Sequence, residues 1–365
     1  MKIALVILHG DPSRGGAERY TVDLAAALGR RGHDARIVAT TFSDEVPPSS
    51  RVEIPANAIT RAGRYRAFLA GLEQHFAQNS YDIIHAMFPI PRCDLYHPHA
   101  GMMAEQLSRL SIVFNPRRRR MAEVERELLT GKEPPIVLCL SEYSKADVTK
   151  HYTLRPDRLV TLFNGVDLDR FQPSRAARAQ VLESLRLRPD SIVALIVAND
   201  WARKGVMDAM RAMPLVADPR LALIVVGSGD TTFYGREALK LHANVLFAGK
   251  VKDTRAFYEA ADFFIMPTKH DPCSLVALEA LAMGVPVIST KCNGATEVMK
   301  DGVHGYVLDN PRYLPGIVEA MKKCLDEARR EAMAKACQEL RPRLSFEHHL
   351  DRLEQIYRDN KSAQV

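Results

Sequence analysis

The sequence predicts an α/β protein with two Rossmann-like domains, each a parallel sheet covered by helices on both faces. Three observations support this fold class. Short apolar runs alternate with stretches of helical periodicity, which is typical of parallel strands joined by crossover helices. The alternation pauses near residue 163 and starts again near residue 191. The chain has 365 residues, and this length suits two domains better than one.

The first domain is predicted to begin with a buried strand over residues 3–8 and a helix over residues 17–30. Leu24 and Leu28 fall on one side of that helix, and Gly32 follows its end, where a glycine commonly terminates a helix. Further short apolar runs predict strands at residues 35–39, 81–86 and 136–140. Because helices separate these strands, we expect them to run parallel.

A second set of apolar runs predicts the other sheet, with strands at residues 191–198, 221–226, 244–247, 263–266 and 285–289. We therefore expect an N-terminal domain over residues 1–163 and a C-terminal domain over residues 164–345. The remaining segment, 346–365, has a helical pattern and is expected to pack back on the first domain. Ligands of open parallel sheets bind outside the carboxyl ends of the strands. The two sheets are thus expected to face a common cleft.

Composition excludes several classes of protein. No stretch of about 18 apolar residues is present, so no membrane-spanning helix is expected. The first eight residues lack a following small-residue cleavage site, which favours a core strand over a signal peptide. The six cysteines include no C-x-x-C pair, so neither a zinc site nor a disulfide framework is expected, and the cytoplasm is favoured. The net charge of +6 suits nucleic acid, a membrane surface or a diphosphate substrate.

Two loops after predicted strands carry groups suited to phosphate. The first contains Gly15 and Gly16, and paired glycines let the backbone and the next helix's N–H groups approach an anion. A tight strand-to-helix turn is the alternative. The second places Arg203 and Lys204 at the start of a helix, where two cations suit a diphosphate leaving group. A solvated basic turn is the alternative.

A pair of carboxylates eight positions apart is the most specific pattern. Asp271 lies in the loop after the predicted strand 263–266, and Glu279 lies about two turns inside the next helix. An unpaired buried carboxylate is costly, and a ligand's pair of hydroxyl groups would satisfy Glu279. The alternative is a salt-bridged helix glutamate with a solvated loop aspartate.

Two histidines, His97 and His99, lie in a loop with proline and glycine after an apolar strand of the first domain. Such imidazoles can hydrogen-bond a sugar or shuttle a proton. A pair at i and i+2 could also ligate a metal, but no carboxylate or further histidine stands at a matching spacing nearby. We therefore expect no metal site here.

Two further motifs resemble known ligand-binding signatures without matching them, and the second is interpreted as structural. Gly227-Ser228-Gly229 follows a strand, as in a dinucleotide fingerprint, but Thr232 stands where the third glycine is needed. This argues against a nicotinamide cofactor. Asp167-Leu168-Asp169 resembles a D-x-D metal-binding signature, yet it falls in the seam between the domains rather than after a core strand.

Together these segments resemble glycosyltransferase family 4, the retaining group with the GT-B fold, over nearly the full length of the chain. The resemblance is carried by residues 15–18, 164–167, 203–205, 226–229 and 271–287. Within that family the chain is most similar to the lipopolysaccharide core glucosyltransferase I group, through residues 94–96, 104–105, 141–171 and 203–206.

The resemblance implies that a nucleotide diphosphate sugar lies against the second domain. Arg203 and Lys204 would hold the diphosphate. Asp271 and Glu279 match the family's E-x7-E motif, in which the first acid faces the transferred sugar and the second binds the ribose hydroxyls. The aspartate is one methylene shorter than the usual glutamate, which puts the position or identity of the sugar in question.

The resemblance also implies contacts from the backbone and from the first domain. Three backbone amides would reach the sugar and phosphates, those of Ser274, Leu275 and Val276. The family's first-domain histidine is best matched by His99, with His97 as the alternative. The strand before Arg203 ends Ala198-Asn199, where many members have Gly-Arg, so one common phosphate ligand is missing.

The activity implied is retaining transfer of a hexose, with UDP-glucose as the leading donor, to a hydroxyl of a lipid-linked or lipopolysaccharide-core acceptor. No metal and no cofactor are expected. Two alternatives remain open: a GT-B sugar-nucleotide epimerase, and a non-catalytic protein that binds nucleotide sugars.

A cationic segment predicts contact with an anionic membrane. Apolar residues within 108–114 precede the four arginines 117–120, a combination that suits an interfacial segment. The alternative is a solvated helix start paired with Glu123, Glu125 and Glu127. No aromatic residues interleave the arginines, so no nucleic acid is expected. We expect a cytoplasmic protein acting at the inner face of the membrane.

Overall fold

The computed structural model describes residues 1–107 and 115–362. The chain divides into two compact units, each built around a parallel sheet. The first unit comprises Met1–Phe163 together with the chain from Leu350 onward, and the second comprises Asn164–His349. The predicted fold class, two Rossmann-like α/β domains, is confirmed.

The first sheet has seven strands: β1 (Lys2–Val6), β2 (Asp34–Ala39), β3 (Arg51–Glu53), β4 (Ile83–Ala86), β5 (Leu95–Tyr96), β6 (Ile136–Cys139) and β7 (Leu159–Thr161). They lie in the order β3-β2-β1-β4-β5-β6-β7, and every neighbouring pair is parallel. Within residues 1–107 and 115–163, the helices that accompany them are α1 (Gly16–Arg30), α2 (Arg61–Gln78), α3 (Met103–Leu107), α4 (Pro116–Thr130) and α5 (Glu142–His151).

Strands β3, β5 and β7 were not predicted because they are only two or three residues long, too short to show a period. Strand β5 comes directly before the loop that holds the two histidines, as predicted, although the strand itself was not predicted. Its two residues, Leu95 and Tyr96, are buried between β4 and β6. His97 therefore follows directly at the carboxyl end of a central strand, where ligands of parallel sheets bind.

The second sheet has six strands: β8 (Ile192–Val197), β9 (Leu221–Val226), β10 (Val245–Gly249), β11 (Phe263–Met266), β12 (Val287–Thr290) and β13 (Gly305–Leu308). Their order is β10-β9-β8-β11-β12-β13, again all parallel. The helices are α6 (Arg178–Ser184), α7 (Trp201–Lys204), α8 (Val206–Val216), α9 (Thr231–Lys240), α10 (Arg255–Ala260), α11 (Leu275–Ala282), α12 (Leu314–Lys323) and α13 (Glu327–Leu344). All five strands predicted for this half are present, and β13 is additional.

The last helix, α14 (Phe346–Ser362), begins in the second unit, and its residues from Leu350 belong to the first. Ion pairs help to hold it there: for example, Asp351 lies 2.7 Å from Arg31, and Lys361 lies 2.7 Å from Asp82. The sequence placed the start of this segment at 346, whereas the return to the first unit falls four residues later. No helix within residues 1–107 and 115–362 is long and apolar enough to cross a membrane.

Candidate functional site

The two predicted phosphate-binding cations lie on α7, at the carboxyl end of β8. Asp200 caps this short helix by accepting from the Arg203 amide at 3.1 Å, and its carboxylate also binds the Arg203 guanidinium at 3.0 Å. Gly205 ends the helix with φ +80°, and a Cβ there would lie 2.3 Å from the carbonyl oxygen of Pro267. Only glycine permits this approach, which brings Arg203 and Lys204 against the loop that follows β11.

That loop carries Asp271, the first acid of the pair. The Lys204 ammonium is bonded to Oδ2 of Asp271, and Nη1 of Arg203 lies 3.7 Å from the same oxygen. Arg203 also donates to the carbonyl oxygen of His270 at 2.7 Å. Since Asp271 is only 7% exposed, it is a buried, ion-paired carboxylate rather than the solvated loop aspartate of the alternative interpretation.

The backbone around Asp271 is fixed by the segment that follows β12. The Asp271 amide donates to the Cys292 carbonyl at 2.8 Å, and the Gly294 amide donates to the Asp271 carbonyl at 3.0 Å. The buried side chain of Asn293 accepts from the amide of Ser274 at 3.2 Å. The Ser274 amide, expected to reach the donor, is thus engaged inside the protein. Sequence reasoning missed Asn293 because it belongs to no recognised motif.

The other two predicted amides, those of Leu275 and Val276, lie in the first turn of α11. Backbone N–H groups in a first turn have no acceptor within their own helix, and the positive end of the helix dipole favours an anion. This position is consistent with the contacts to phosphate or sugar that the resemblance implies.

Glu279 is the fifth residue of α11, about one turn from its start rather than two. It is partly exposed, and it accepts a hydrogen bond from the Tyr258 hydroxyl at 2.8 Å. Burial, and then the charge of Glu279, raise the pKa of Tyr258 well above its usual value, so the phenol remains a donor. Tyr258 lies on α10, outside every sequence motif, and was not predicted.

The glycine motif after β9 is explained by packing. A Cβ on Gly227, where φ is +118°, would lie 2.0 Å from the Ala198 carbonyl oxygen, and one on Gly229 would overlap the Trp201 ring. The amide and hydroxyl of Ser228 both donate to Oδ1 of Asn199 at 3.1 Å. These contacts account for both glycines without a dinucleotide.

At the start of the second unit, two polar side chains hold the backbone. Asp167 accepts from the amides of Asp169 at 3.1 Å and Arg170 at 3.0 Å, which closes a turn. Asn164 donates to the carbonyl oxygen of Cys273 at 3.3 Å and so supports the loop that carries Asp271. Within the part of the chain that the structure describes, no three His, Cys, Asp or Glu side chains gather in a group that could hold a metal ion.

In the first unit, the predicted histidines belong to a stack of aromatic rings. His97 is fully buried, and its Nδ1 lies 3.2 Å from Nε2 of His85 on β4. Nδ1 of His85 in turn lies 2.7 Å from the Tyr357 hydroxyl on α14. The ring of His99 is 4.1 Å from that of His97 and 4.3 Å from that of Tyr20. His99 is the more exposed of the two predicted histidines, which favours it for ligand contact.

The same ring stack connects His99 with the glycine loop. Helix α1 starts at Gly16, with Gly15 before it and no side chain capping the helix start. Tyr20, one turn into this helix, carries the ring that packs on His99. The structure therefore connects His99, through the ring of Tyr20, with the helix that Gly16 starts, and it brings Arg203, Lys204 and Asp271 together within the second unit.

The structure differs from the alternative interpretation, in which the arginines at the start of α4 pair with Glu123, Glu125 and Glu127. Arg120 lies 3.1 Å from Glu123 and 3.4 Å from Glu127. Glu125 instead faces the core, where it accepts from the hydroxyl groups of Tyr96 at 2.6 Å and Tyr152 at 3.1 Å. The apolar residues predicted to precede the run, 108–114, lie outside the described residues.

Solved structures with the same architecture establish the fold. The fold superposes with a TM-score of 0.84 and 23% identity on the crystal structure of WaaG, a glycosyltransferase involved in lipopolysaccharide biosynthesis, covering 97% of this chain and 99% of that one. HepE of Anabaena, crystallised with UDP and glucose, gives a TM-score of 0.75 at 19% identity, covering 98% of this chain and 99% of that one. The fold is that of a GT-B glycosyltransferase.

Family models identify the chain more closely. Residues 14–170 match the model for Glycosyltransferase Family 4, and residues 191–327 match the model for Glycosyl transferases group 1. The chain belongs to the glycosyltransferases, with a family 4 domain followed by a group 1 domain. Among curated relatives, it is 24% identical over 325 residues to the lipopolysaccharide glucosyltransferase WaaG of Escherichia coli K12, covering 86% of this chain and 87% of the relative.

Proposed function

We propose that this protein transfers glucose from UDP-glucose, with retention of configuration, to a hydroxyl of a lipid-linked or lipopolysaccharide-core acceptor. The observation that carries the proposal is the cluster of Arg203, Lys204 and Asp271 at the carboxyl edge of the second sheet, with Glu279 on the next helix. The names of two relatives support the sugar and the acceptor: a lipopolysaccharide glucosyltransferase, and a protein crystallised with UDP and glucose.

In this reaction the bond between the sugar's anomeric carbon and the β-phosphate oxygen breaks. The acceptor's hydroxyl oxygen bonds to the same carbon on the same face, and its proton passes to the departing phosphate oxygen. Negative charge therefore grows on the diphosphate. An ammonium group has three donors, so Lys204 can keep Asp271 and still bind phosphate, while Arg203 adds a second cation. Two fixed cations stabilise the leaving group without a metal ion.

The two carboxylates have different surroundings that suit different hydroxyl groups. Both cations contact Oδ2 of Asp271, so we assign its Oδ1 to a hydroxyl of the transferred sugar. Glu279 accepts from the neutral phenol of Tyr258, and we assign its carboxylate to the ribose hydroxyls. In the first unit, Gly15 and Gly16 are assigned to donor or acceptor contact, and His99 to a hydroxyl near the reacting carbon.

We further propose that the protein works in the cytoplasm, at the inner face of the membrane. Arg118 and Arg119 make no ion pair within residues 1–107 and 115–362, and such free cations near anionic lipid contribute about 1 kcal/mol each. A lipid-linked acceptor has to be met at a bilayer, so peripheral attachment would raise the rate of encounter.

The direct test is a mass-spectrometric screen of nucleotide sugars with the purified protein, with and without lipid-extract acceptors. The proposal expects UDP release and a mass gain of one hexose on the acceptor, both dependent on that acceptor. Conversion of the donor without any acceptor would instead show an epimerase. Binding of UDP-glucose without conversion under all conditions would show a non-catalytic nucleotide-sugar-binding protein.

A further inference from the structure

Four arginines of the first unit have no part in the proposed reaction. Arg61 and Arg64 lie in the first turn of α2, Arg117 lies in the first turn of α4, and Arg14 lies in the loop between β1 and α1. We refer to Arg14, Arg61, Arg64 and Arg117 as the arginine cluster.

Topology brings these residues to one edge of the sheet. Helix α2 follows β3 and leads to β4, while α4 lies between β5 and β6. In a parallel sheet each crossover helix starts at the carboxyl edge of the strands. The starts of α2 and α4 therefore lie at the edge where β1 ends, and the two helices pack on each other.

The cationic side chains are close enough to act on their neighbours. Burial, and then the charges of Arg14, Arg117 and Arg64, lower the pKa of His9 at the end of β1 to about 4, although Asp11 opposes them. Burial, and then the charges of Arg61 and others in the region, also lower the pKa of Arg117. His9 is therefore neutral at pH 7, and positive potential is concentrated around it.

The cluster lacks the acidic partners that other arginines of the chain have. None of its four members makes an ion pair within residues 1–107 and 115–362. In the same described part of the chain, Nε of Arg117 is buried and has no hydrogen-bond partner. By contrast, Arg120, one turn further along α4, binds Glu123 and Glu127. A buried N–H group without an acceptor is costly, and an anionic ligand would satisfy it.

We propose that the arginine cluster binds a phosphate group carried by the acceptor. Several guanidinium groups, each a planar fork of donors, match the oxygens of a phosphate monoester. The diphosphate of the donor already has its own cations, Arg203 and Lys204, on the second unit. The inference thus rests on the proposed function for its identification of the acceptor. The phosphate belongs either to a free sugar phosphate or to a lipid-borne group.

The side chain just before α2 bears on the source of the phosphate. Ile59 is fully exposed, at 101%, and it stands two positions before Arg61. An apolar side chain beside unpaired cations suits the interface of a bilayer, which favours the lipid-borne source.

The experiment uses the full-length protein and three variants: Arg61→Gln/Arg64→Gln, Arg117→Gln, and Arg120→Gln as the matched control from the same run. In the first arm, the affinity of each protein for a hexose 6-phosphate is measured in solution. In a second arm, co-sedimentation is measured with phosphatidylcholine vesicles containing an equal mole fraction of phosphatidic acid, a monoester, or phosphatidylglycerol, a diester. Melting curves by circular dichroism confirm that each variant is folded.

We expect the cluster variants to lose at least tenfold in affinity for one of these monoesters, and the control less than twofold. Loss in the first arm assigns a free sugar phosphate, and loss with phosphatidic acid but not phosphatidylglycerol assigns a lipid-borne group. Equal effects of Arg120→Gln and the cluster variants, or no effect in either arm, would overturn the proposal.

Titration of UDP into the same proteins distinguishes the arginine cluster from the donor site. The affinity for UDP is expected to stay unchanged, and competition between UDP and the hexose phosphate would give the cluster to the donor and overturn the proposal. Failure of the wild type to bind UDP would instead count against the proposed function alone.

Discussion

The ammonium group of Lys204 is bonded to the carboxylate of Asp271, although the two residues stand 67 positions apart in the chain. Lys204 was expected to hold the donor's diphosphate, and Asp271 was expected to face the donor's sugar. The bond makes these roles interdependent, because the lysine that meets the phosphate also neutralises and orients the acid that meets the sugar. Removing the lysine therefore strands the buried acid, whereas removing the acid leaves the ammonium able to bind phosphate.

Replacement of Lys204 by alanine is expected to lower kcat with UDP-glucose by about a hundredfold, because the leaving diphosphate loses a cation in the transition state. It should also lower the melting temperature, since Asp271 would remain buried with only the guanidinium of Arg203 nearby, at 3.7 Å. Steady-state kinetics and thermal unfolding measure the two effects.

The double variant Lys204→Ala/Asp271→Asn separates stability from catalysis. In Lys204→Ala the carboxylate of Asp271 stays buried without its lysine, and the double variant removes that negative charge. The double variant should therefore recover much of the lost melting temperature but none of the lost turnover. Lys269→Ala is the matched control, because that lysine lies 3.5 Å from Asp208 in the same region but is more exposed. Wild-type kcat and donor affinity in Lys204→Ala would show that the lysine does not hold the donor.

Glu279 and Asp271 are expected to separate in their effects on nucleotide binding. Glu279→Ala should weaken binding of UDP itself at least tenfold, because the ribose loses its charged acceptor. Asp271→Ala should leave UDP binding nearly intact and lower turnover. Calorimetric titration of UDP into both variants measures this, and equal losses of affinity would contradict the division of roles.

Tyr258→Phe tests how Glu279 is held. The change removes one hydroxyl that donates to the carboxylate at 2.8 Å and leaves the ring in place. We expect UDP affinity to fall severalfold, less than in Glu279→Ala, with little change in turnover at saturating donor. An affinity equal to that of the wild type would show that the phenol does not position the carboxylate.

The sequence predicted the long central strands because their apolar runs are four to six residues long and separated by helices. Strand β5, with two residues, shows no such pattern, yet it decides that His97 is buried and that Glu125 meets Tyr96 in the core. The residue types of the candidate site could be read from motifs. The bond between Lys204 and Asp271, and the hydroxyl of Tyr258 on Glu279, depend on loop positions that no local pattern encodes.

His99 and the rings behind it are expected to affect chemistry rather than donor binding. His99→Ala should lower kcat at least tenfold, because a hydroxyl near the reacting carbon loses its partner. Tyr357→Phe should lower it less, because the hydroxyl that holds His85 in place, and through it His97, is removed. UDP affinity should stay unchanged in both. A drop in UDP affinity that parallels kcat would show that the stack only maintains the fold.

Turnover is expected to persist without a divalent metal. Arg203 and Lys204 supply the positive charge that a cation supplies to the diphosphate in other enzymes. Activity should therefore remain within about twofold after dialysis against EDTA, with added magnesium or manganese having a similarly small effect. Complete loss in EDTA, restored by either metal, would contradict this.

Attachment to anionic membranes is expected to depend on the start of α4. Arg119 is exposed and Arg118 is partly exposed, and the charge they offer to anionic lipid is screened by salt. Co-sedimentation with vesicles should therefore require anionic lipid, weaken as salt is added, and fall by about tenfold or more in Arg118→Gln/Arg119→Gln.

The matched control for membrane attachment is Arg188→Gln/Arg220→Gln, which removes the same charge from two exposed arginines already paired with Asp190 and Asp218 in the second unit. If the whole basic surface is responsible, both double variants should lose binding equally. If the start of α4 is responsible, only Arg118→Gln/Arg119→Gln should lose binding. Equal sedimentation with neutral and anionic vesicles, or none with either, would remove the membrane proposal and leave the glycosyltransferase assignment in place, because the donor site lies on the second unit.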